Sequence, residues 1–281
     1  MHRIQNYQSF FQNYLDKQVF SQEPQNLYAP VNYILSIGGK RLRPLLALMG
    51  CELFSENMER ALPIAMAVEI FHNFSLLHDD IMDAAPLRRG QPTVHTKYNV
   101  NTGILSGDVM LVWGYRFLLN TEGVSAEMKI QLVDIFNKLA TEVCEGQQWD
   151  MDFETRTDVT IAEYMLMIEY KTSVLIAAAF QMGALVGGAT DEEAAHLYEF
   201  GRNIGIAFQI QDDILDSFGD PLKFGKKVGG DIVQNKKTLL VLKAFELADA
   251  TQRADLQKLM ATTPADEKLK IEAVKTQFSN S

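Results

Sequence analysis

The chain has 281 residues, 47% of them apolar and 22% charged, which favours a folded globular protein with a sizeable core over a disordered chain. Its formal net charge of -10 at pH 7 disfavours a nucleic-acid partner, because binding to a phosphate backbone needs an extended basic surface. The two cysteines, Cys51 and Cys144, lie far apart in apolar surroundings, which disfavours a disulfide framework, a zinc site or a redox pair and fits a cytoplasmic location.

The sequence predicts no integral membrane segment. The first twenty residues are polar and aromatic and lack the apolar core of a signal peptide. The longest apolar run, Val174 to Ala189, is shorter than a membrane span and is interrupted by Gln181. We therefore expect a buried helix at this run.

Apolar residues three and four apart predict helices through most of the chain, and strand-like alternation is nowhere sustained in the sequence. Helix breakers fall at residues 38–39, 85–92, 121–125 and 219–230. The predicted helices cover, in chain order, residues 43–54, 61–83, 108–120, 128–153, 161–187 and 194–220. This pattern predicts one all-α domain over residues 1–281, a bundle whose central helices are apolar nearly all round.

Two predicted helices end in the same acidic arrangement, "FSLLHDDIMD" and "FQIQDDILD", more than a hundred residues apart. Residues four apart share a helix face, so Asp79 lies with Asp83 and Asp212 with Asp216. Like charges on one face, at the negative end of the helix dipole, are unfavourable unless a cation compensates them. Carboxylates without a nearby His or Cys suit Mg²⁺, which also takes phosphate oxygens. The alternative for a single motif is a solvated acidic helix end, and the duplication disfavours it.

Basic residues accompany both motifs. Those that follow the motifs are Arg88, Arg89, Lys226, Lys227, Lys236 and Lys237. Upstream, "GGKRLRP" puts Lys40 and Arg43 three apart on one helix face, after two glycines that free the backbone to approach a ligand. An Arg fork and a Lys beside exposed amides form an anion site without a metal. The alternatives are a surface charge pattern and a simple glycine turn, but in combination these residues predict a second phosphate pocket.

From about Gly38 to about Leu242 the sequence resembles the trans-isoprenyl diphosphate synthases, the head-to-tail prenyltransferases that include farnesyl and geranylgeranyl diphosphate synthases. The motifs occur in the family's order: "GGKRLRP", "HNFSLLHDDIMDAAPLRRGQPTVH", "GDVML", "YKTSVL" and "FQIQDDILDSFGDPLKFGKKVGGDIVQNKKT". The resemblance implies the isoprenoid synthase fold, a bundle of mostly antiparallel helices around a deep central cavity with both acidic motifs facing each other at its mouth.

The resemblance also implies the reaction. Isopentenyl diphosphate condenses with dimethylallyl, geranyl or farnesyl diphosphate after Mg²⁺-assisted ionisation, with three Mg²⁺ per site, and diphosphate is released. The enzyme of this family is generally a homodimer, and "DVMLVWGYRFLLN" is a candidate interface, with ordinary core as the alternative. The family usually continues beyond the polar stretch "ATTPADEKLKIEAVKTQFSNS", so we expect the C-terminus to be incomplete or, if it is complete, the lid over the site to be thinner or supplied by a partner subunit.

The roles implied by the resemblance fall on matching positions. The implied metal ligands are Asp79, Asp80, Asp83, Asp212, Asp213 and Asp216. The implied allylic diphosphate contacts are Arg88, Lys171, Lys226 and Lys236. The implied isopentenyl diphosphate contacts are Lys40, Arg43, His72 and Arg89. The implied catalytic set is Asp79, Asp83, Asp212, Lys171, Thr172 and Gln209, with Thr172 and Gln209 facing the allylic cation. The aspartates and arginines of the first motif are expected to serve these ligands rather than mainly to neutralise each other.

Four positions have alternative interpretations: Phe71, His72 and Phe74 before the first motif, and Lys171 further along the chain. Phe71 and Phe74 are expected to stack along one helix face as the floor of the cavity, with small Ser75 beside them, and by resemblance they suit an all-trans product of fifteen to twenty carbons. The alternative is ordinary core. His72 lies in an apolar stretch, where a satisfied core histidine is the alternative to a ligand contact. Lys171 is hard to bury without an anion, which favours a pocket position.

Other functions remain as alternatives: a longer-chain polyprenyl diphosphate synthase, a class I terpene cyclase and a noncatalytic synthase subunit. A cyclase would lack the second diphosphate site, so "GGKRLRP" and the second acidic motif argue against it. A noncatalytic subunit would be expected to lose motif residues, and this chain retains them.

Overall fold

Helices make up nearly all the regular structure of the computed structural model, which describes residues 4–220, 228–261 and 267–280. The first part contains α1 (Ile4–Leu15), α2 (Gln25–Ser36), α3 (Leu42–Glu52), a 3₁₀ turn (Met58–Ala61), α4 (Leu62–Met82), β1 (Leu87–Arg88), β2 (Gln91–Pro92), α5 (Val94–Lys97) and α6 (Val100–Leu119). The remainder contains α7 (Ala126–Thr155), α8 (Ile161–Ile168), a π-helix (Glu169–Ser173), α9 (Val174–Gly187), α10 (Asp191–Phe218), α11 (Gly230–Val233), α12 (Leu239–Leu247), α13 (Ala250–Ala261) and α14 (Glu267–Asn280). The all-α prediction is confirmed.

The described residues form two compact units. Unit 1 lies within Met1–Leu139 and Leu175–Gly201, and unit 2 lies within Ala140–Val174 and Arg202–Ser281. Each unit contains one of the two acidic motifs.

The centre of unit 1 is α4, which is apolar on most of its circumference and buried along most of its length. Its main partner is α6, and glycines allow the two helices to approach closely. A Cβ on Gly107 would lie only 2.2 Å from Nε2 of His78, the residue before Asp79. The close packing of these helices therefore fixes the end of α4 that carries the first motif.

The apolar run at Val174 to Ala189 forms the buried helix that the sequence predicts. A Cβ on Gly183 of α9 would lie 2.0 Å from the carbonyl oxygen of Ala47 in α3, so only glycine permits this contact between the two backbones. Among the described residues, one helix, Met58–Met82, is long and apolar enough to cross a membrane by length and composition, and 67% of its apolar window is buried inside the protein. Such burial is typical of a core helix.

Unit 2 has two apolar clusters. One joins α7, α8, α10 and α12 through buried residues that include Phe153, Tyr164 and Met167. The other joins α11 to α14 and includes Ile232, Leu256 and Val274. The first cluster supports the helices that carry the second acidic motif.

Candidate active site

The first acidic motif lies at the C-terminal end of α4. Asp79 is partly exposed, and Asp83 is exposed at the C-cap, where its backbone N–H donates to the Asp79 carbonyl at 2.9 Å. Asp80 is buried, and Arg88 binds it through two hydrogen bonds of 2.7 Å from Nε and Nη2. Burial raises the pKa of the Asp80 carboxyl, and the Arg88 guanidinium opposes this rise. The motif thus has one internally paired acid and two outer acids on the accessible side.

The expectation that the arginines and aspartates do not mainly neutralise each other is wrong for Arg88 and Asp80. The strands β1 and β2 form a tight hairpin with Arg89 and Gly90 at its turn, both in the left-handed region with φ of 52° and 75°. This hairpin returns Arg88 to the end of α4, where Nη2 also lies 3.7 Å from Asp79 Oδ2. Helical spacing alone does not predict this pairing, because the hairpin turn brings the two residues together.

The residues expected to hold isopentenyl diphosphate lie together in unit 1. Arg89 donates to the carbonyl of Gly38, and a Cβ on Gly39 would lie 2.5 Å from the Arg89 guanidinium. Gly39 also has φ of +140°, a backbone conformation that favours glycine. The loop before α3 therefore holds Arg89 against its backbone, beside the exposed Lys40.

Arg43 and His72 contact each other in the same region, with 3.2 Å between Arg43 Nη1 and His72 Nε2. Because arginine can only donate, Nε2 accepts and the ring proton lies on Nδ1. Burial and the surrounding arginines, Arg43 first, lower the pKa of His72 well below its usual value. Burial lowers the pKa of Arg43 to about 10, opposed by Glu69. His72 is therefore a neutral acceptor that orients a buried guanidinium.

Two residues that sequence reasoning missed support this cluster. Arg41 adopts a left-handed φ of 50° just before α3, and its buried guanidinium contacts Glu69 and donates to the Leu35 carbonyl. Asn73 Nδ2 donates to the same Glu69 Oε1 at 2.8 Å. The sequence contains one signal for this pairing: Glu69 is a lone acid in an apolar helix, and a buried carboxylate needs a partner.

Phe71 and Phe74 contact each other at 5.5 Å between ring centroids, with the planes tilted by 55° rather than parallel. Phe71 also meets Phe136 edge-on at 5.3 Å. Ser75 Oγ donates to the His72 carbonyl at 2.9 Å. The two rings are in contact but are tilted rather than stacked in parallel, and their role as a floor stays a prediction.

The second acidic motif lines a cavity of about 360 Å³ inside unit 2. The cavity contains the sequence-predicted residues of this unit that are described: Lys171, Thr172, Gln209, Asp212, Asp213, Asp216 and Lys236. The predicted Lys226 lies outside the described residues. Sequence reasoning missed Asp150, Tyr164 and Asp231, which line the same cavity.

The middle acid of this motif is also held by protein donors. Asp213 is buried, and it accepts hydrogen bonds from the Tyr164 hydroxyl and, at 3.1 Å, from Gln209 Nε2. Burial raises the pKa of Asp213, while these two hydrogen bonds oppose the rise. Gln209 Oε1 in turn accepts from the Thr172 hydroxyl at 3.2 Å, so one chain of hydrogen bonds joins Thr172, Gln209 and Asp213.

Asp216 and Asp231 form the other side of the cavity. The Asp231 backbone N–H donates to Asp216 Oδ2 at 3.0 Å. Burial raises the pKa of Asp231 to about 6, and the negative charge of Asp216 adds to this rise. Lys236 opposes it, with Nζ 3.9 Å from Asp231 Oδ1. An acidic wall of this kind favours a bound cation.

Lys171 and Thr172 lie on the π-helix between α8 and α9. Such segments occur often at functional sites. Lys171 Nζ lies 2.5 Å from Asp150 Oδ2 on α7. The Asp150 carboxylate thus holds the ammonium group at the wall of the cavity.

The sequence matches the family described as Polyprenyl synthetase over residues 24–277. The chain belongs to this family. It is similar to the geranylgeranyl diphosphate synthase of Methanosarcina mazei, with 44% identity over 86% of this chain and 75% of that protein. It is also similar to the geranylfarnesyl diphosphate synthase of Natronomonas pharaonis, with 38% identity over 91% of this chain and 78% of that protein. A crystal structure of geranylgeranyl pyrophosphate synthase matches with a TM-score of 0.94 and 48% identity, over 100% of this chain and 86% of that chain.

The acids of this polyprenyl synthetase fit Mg²⁺ by their chemistry. Among the residues that the structure describes, no three His, Cys, Asp or Glu side chains converge on one metal position. Mg²⁺ usually takes only one or two protein carboxylates and completes its shell with water and phosphate oxygens. Asp79 with Asp83, and Asp212 with Asp216, offer such pairs in unit 1 and unit 2 respectively.

Proposed function

We propose that the chain is a short-chain head-to-tail prenyltransferase that condenses isopentenyl diphosphate with an allylic diphosphate. The observation that carries the proposal is that two kinds of anion site coexist. In the first kind, a carboxylate lies next to a cationic side chain, as Asp79 lies next to Arg88, and this arrangement suits a metal-bound diphosphate. The other is the metal-free cluster of Lys40, Arg43 and Arg89 around neutral His72, which suits a second diphosphate.

The acidic motifs bind the allylic substrate in this proposal. Asp79 and Asp83 in unit 1, and Asp212 and Asp216 in unit 2, would hold Mg²⁺, which supplies compensation for negative charge that develops on the departing diphosphate. Asp80 and Asp213 act as supporting acids, because each is already engaged by protein donors.

Basic residues in each unit are proposed to bind diphosphate oxygens directly. Arg88 uses Nε and Nη2 for Asp80, and within the described residues its Nη1 makes no hydrogen bond, which leaves that group for a phosphate oxygen. Lys171 and Lys236 line the unit 2 cavity and bind diphosphate oxygens there. Lys226 is proposed for the same task.

The hydrogen-bonded pair of Thr172 and Gln209 would face the carbon that becomes positive when the allylic bond breaks. Their oxygen dipoles favour that charge without forming a covalent bond. The double bond of isopentenyl diphosphate then attacks this carbon, and the proton lost from the new chain goes to the departed diphosphate. The cluster at Arg43, Arg89 and His72 keeps the second diphosphate in place during this step.

The proposed product is all-trans with fifteen to twenty carbons, with Phe71, Phe74 and Ser75 as the chain-length floor. A longer-chain product is the second candidate, because one similar relative is named a geranylfarnesyl diphosphate synthase. Three Mg²⁺ per site, a homodimer and a cytoplasmic location are further parts of the proposal, and light scattering of the purified chain tests the dimer.

The deciding experiment incubates the chain with Mg²⁺, isopentenyl diphosphate and allylic primers of increasing length, followed by chromatography of the products. A prenyl diphosphate longer than its primer by five-carbon units supports the proposal. A cyclic hydrocarbon formed from the primer alone would indicate a cyclase, and no consumption of either substrate would refute the enzyme.

A matched pair of variants assigns the activity to the site. Asp79→Asn should lower kcat by about a hundredfold or more, because it removes an outer acid of the first motif. Asp134→Asn changes an exposed acid on α7 of the same unit and should leave kcat unaltered. Equal losses in both variants would contradict the assignment.

A further inference from the structure

The cavity of unit 2 contains an acid that none of the proposed steps uses. Asp150 lies on α7 and lines the same cavity as Asp212, Asp213 and Asp216. A further carboxylate beside a diphosphate site repels the ligand, so it is unfavourable there unless it acts on another group. That group is Lys171, whose Nζ lies 2.5 Å from Asp150 Oδ2.

Close packing on the same face of α7 fixes the backbone next to this ion pair. Gly146 precedes Asp150 by four residues and so shares its face of α7. A Cβ on Gly146 would lie 2.3 Å from the Lys171 backbone nitrogen, so α7 touches the π-helix directly. On the other side, a Cβ on Gly205 of α10 would lie 2.6 Å from Ser173 Cα. Lys171 is thereby held at its backbone by close packing and at its ammonium group by Asp150.

We propose that Asp150 is a positioning residue that aims the Lys171 ammonium at the diphosphate. The inference rests on the proposed prenyltransferase function. A lysine side chain has a long flexible stem, and its charge helps a developing leaving group only if it is already in place. Asp150 supplies that preorganisation, since it holds Nζ at the cavity wall before the ligand arrives.

The competing explanation is an ordinary half-buried ion pair, which contributes little to function. A double-mutant cycle separates the two explanations because it tests whether Asp150 acts through Lys171. The variants are Asp150→Ala, Asp150→Asn, Lys171→Gln and the double variant Asp150→Ala/Lys171→Gln. The measurements are kcat and the KM of each substrate, with thermal unfolding to confirm that each variant folds.

Asp150→Ala should lower kcat by about tenfold to a hundredfold, because a displaced catalytic charge has effects of this size. The KM for isopentenyl diphosphate should stay within about twofold, since that substrate is assigned to the Arg43 cluster. Asp150→Asn keeps an acceptor oxygen and should recover part of the loss, and it carries the test if the alanine variant does not fold. Added to Lys171→Gln, Asp150→Ala should lower kcat by less than about twofold.

Asp152→Asn is the matched control, because Asp152 lies on the same helix and is exposed, and its side chain accepts a hydrogen bond from the nearby Gln148. It should leave kcat unchanged. Losses that multiply in the double variant, or an Asp150→Ala variant as active as the unaltered chain, would overturn the role of Asp150 while the proposed function stands. No condensation by the unaltered chain would overturn both.

Discussion

The product length should depend on the two phenylalanine rings before the first acidic motif. Phe74 and Phe71 lie five and eight residues before Asp79, which is about 7.5 and 12 Å along the helix axis. An extended isoprene unit has four bonds of about 1.5 Å and spans about 5 Å. Phe74→Ala therefore opens space for about one more unit, and Phe71→Ala/Phe74→Ala opens space for about two.

Phe71→Ala alone should not lengthen the product, because Phe74 still lies between it and the motif. It should lower the free energy of unfolding by about 3–5 kcal/mol, the usual range for a wholly buried phenylalanine. The assay is chromatography of the prenyl diphosphates formed from one allylic primer, with Phe74→Leu as a milder variant.

The control for stability alone is Phe11→Ala, which removes a fully buried ring from α1. It should destabilise the chain to a similar degree and leave the product unchanged. A double variant of Phe71 and Phe74 that still condenses, but gives the original product, would refute the floor.

Three further predictions test the surroundings of the motifs. Gly107→Ala should lower kcat about tenfold or more, because its Cβ would displace the His78 ring beside the motif, and unaltered steady-state kinetics would contradict this packing argument. Lowering the pH below 6.5 should reduce the free energy of unfolding by up to about 1.4 kcal/mol per pH unit from His72 alone. The depressed pKa of His72 keeps the folded ring neutral while the unfolded ring binds a proton. Denaturant titrations at several pH values should therefore show a smaller dependence of the free energy of unfolding on pH in His72→Gln. Tyr164→Phe should cost about 1–3 kcal/mol in thermal unfolding and reduce kcat, because Asp213 loses a buried donor; a variant equal to the unaltered chain in both measurements would exclude a supporting role.

Much of the helical architecture was predictable, because buried helices repeat their apolar residues every three or four positions. The predicted helix at residues 61–83 differs from α4 by a single residue at each end. The predicted start of α6 was later than the observed Val100, because "VNTGILSG" looks like a loop. In the structure its glycines serve close contact with α4 instead, a requirement that only the neighbouring helix reveals.

The sequence identified the acidic motifs as candidate ligand sites, but it did not reveal their partners within the protein. A hydrophobic period cannot show the π-helix within the predicted helix at residues 161–187, although it carries Lys171 and Thr172. The pairing of Asp150 with Lys171 joins residues on separate helices, and neither residue type reveals its partner. Arg41 was overlooked because helical spacing groups Lys40 with Arg43, whereas Arg41 precedes the helix in a left-handed conformation.

The two motifs have the same D-D-x-x-D sequence pattern but differ in their electrostatics. In the first, a charged guanidinium pairs with the middle acid, so Arg88 cancels the charge of Asp80. In the second, Tyr164 and Gln209 are neutral donors, so they do not cancel the charge of an Asp213 carboxylate, whose pKa burial raises. Neutral donors stabilise a carboxylate without reducing the field that it exerts on its surroundings. The Mg²⁺ proposed for the second motif would therefore meet the negative field of Asp213, and Lys171 and Lys236 of the same cavity would supply the positive charge that a diphosphate needs there.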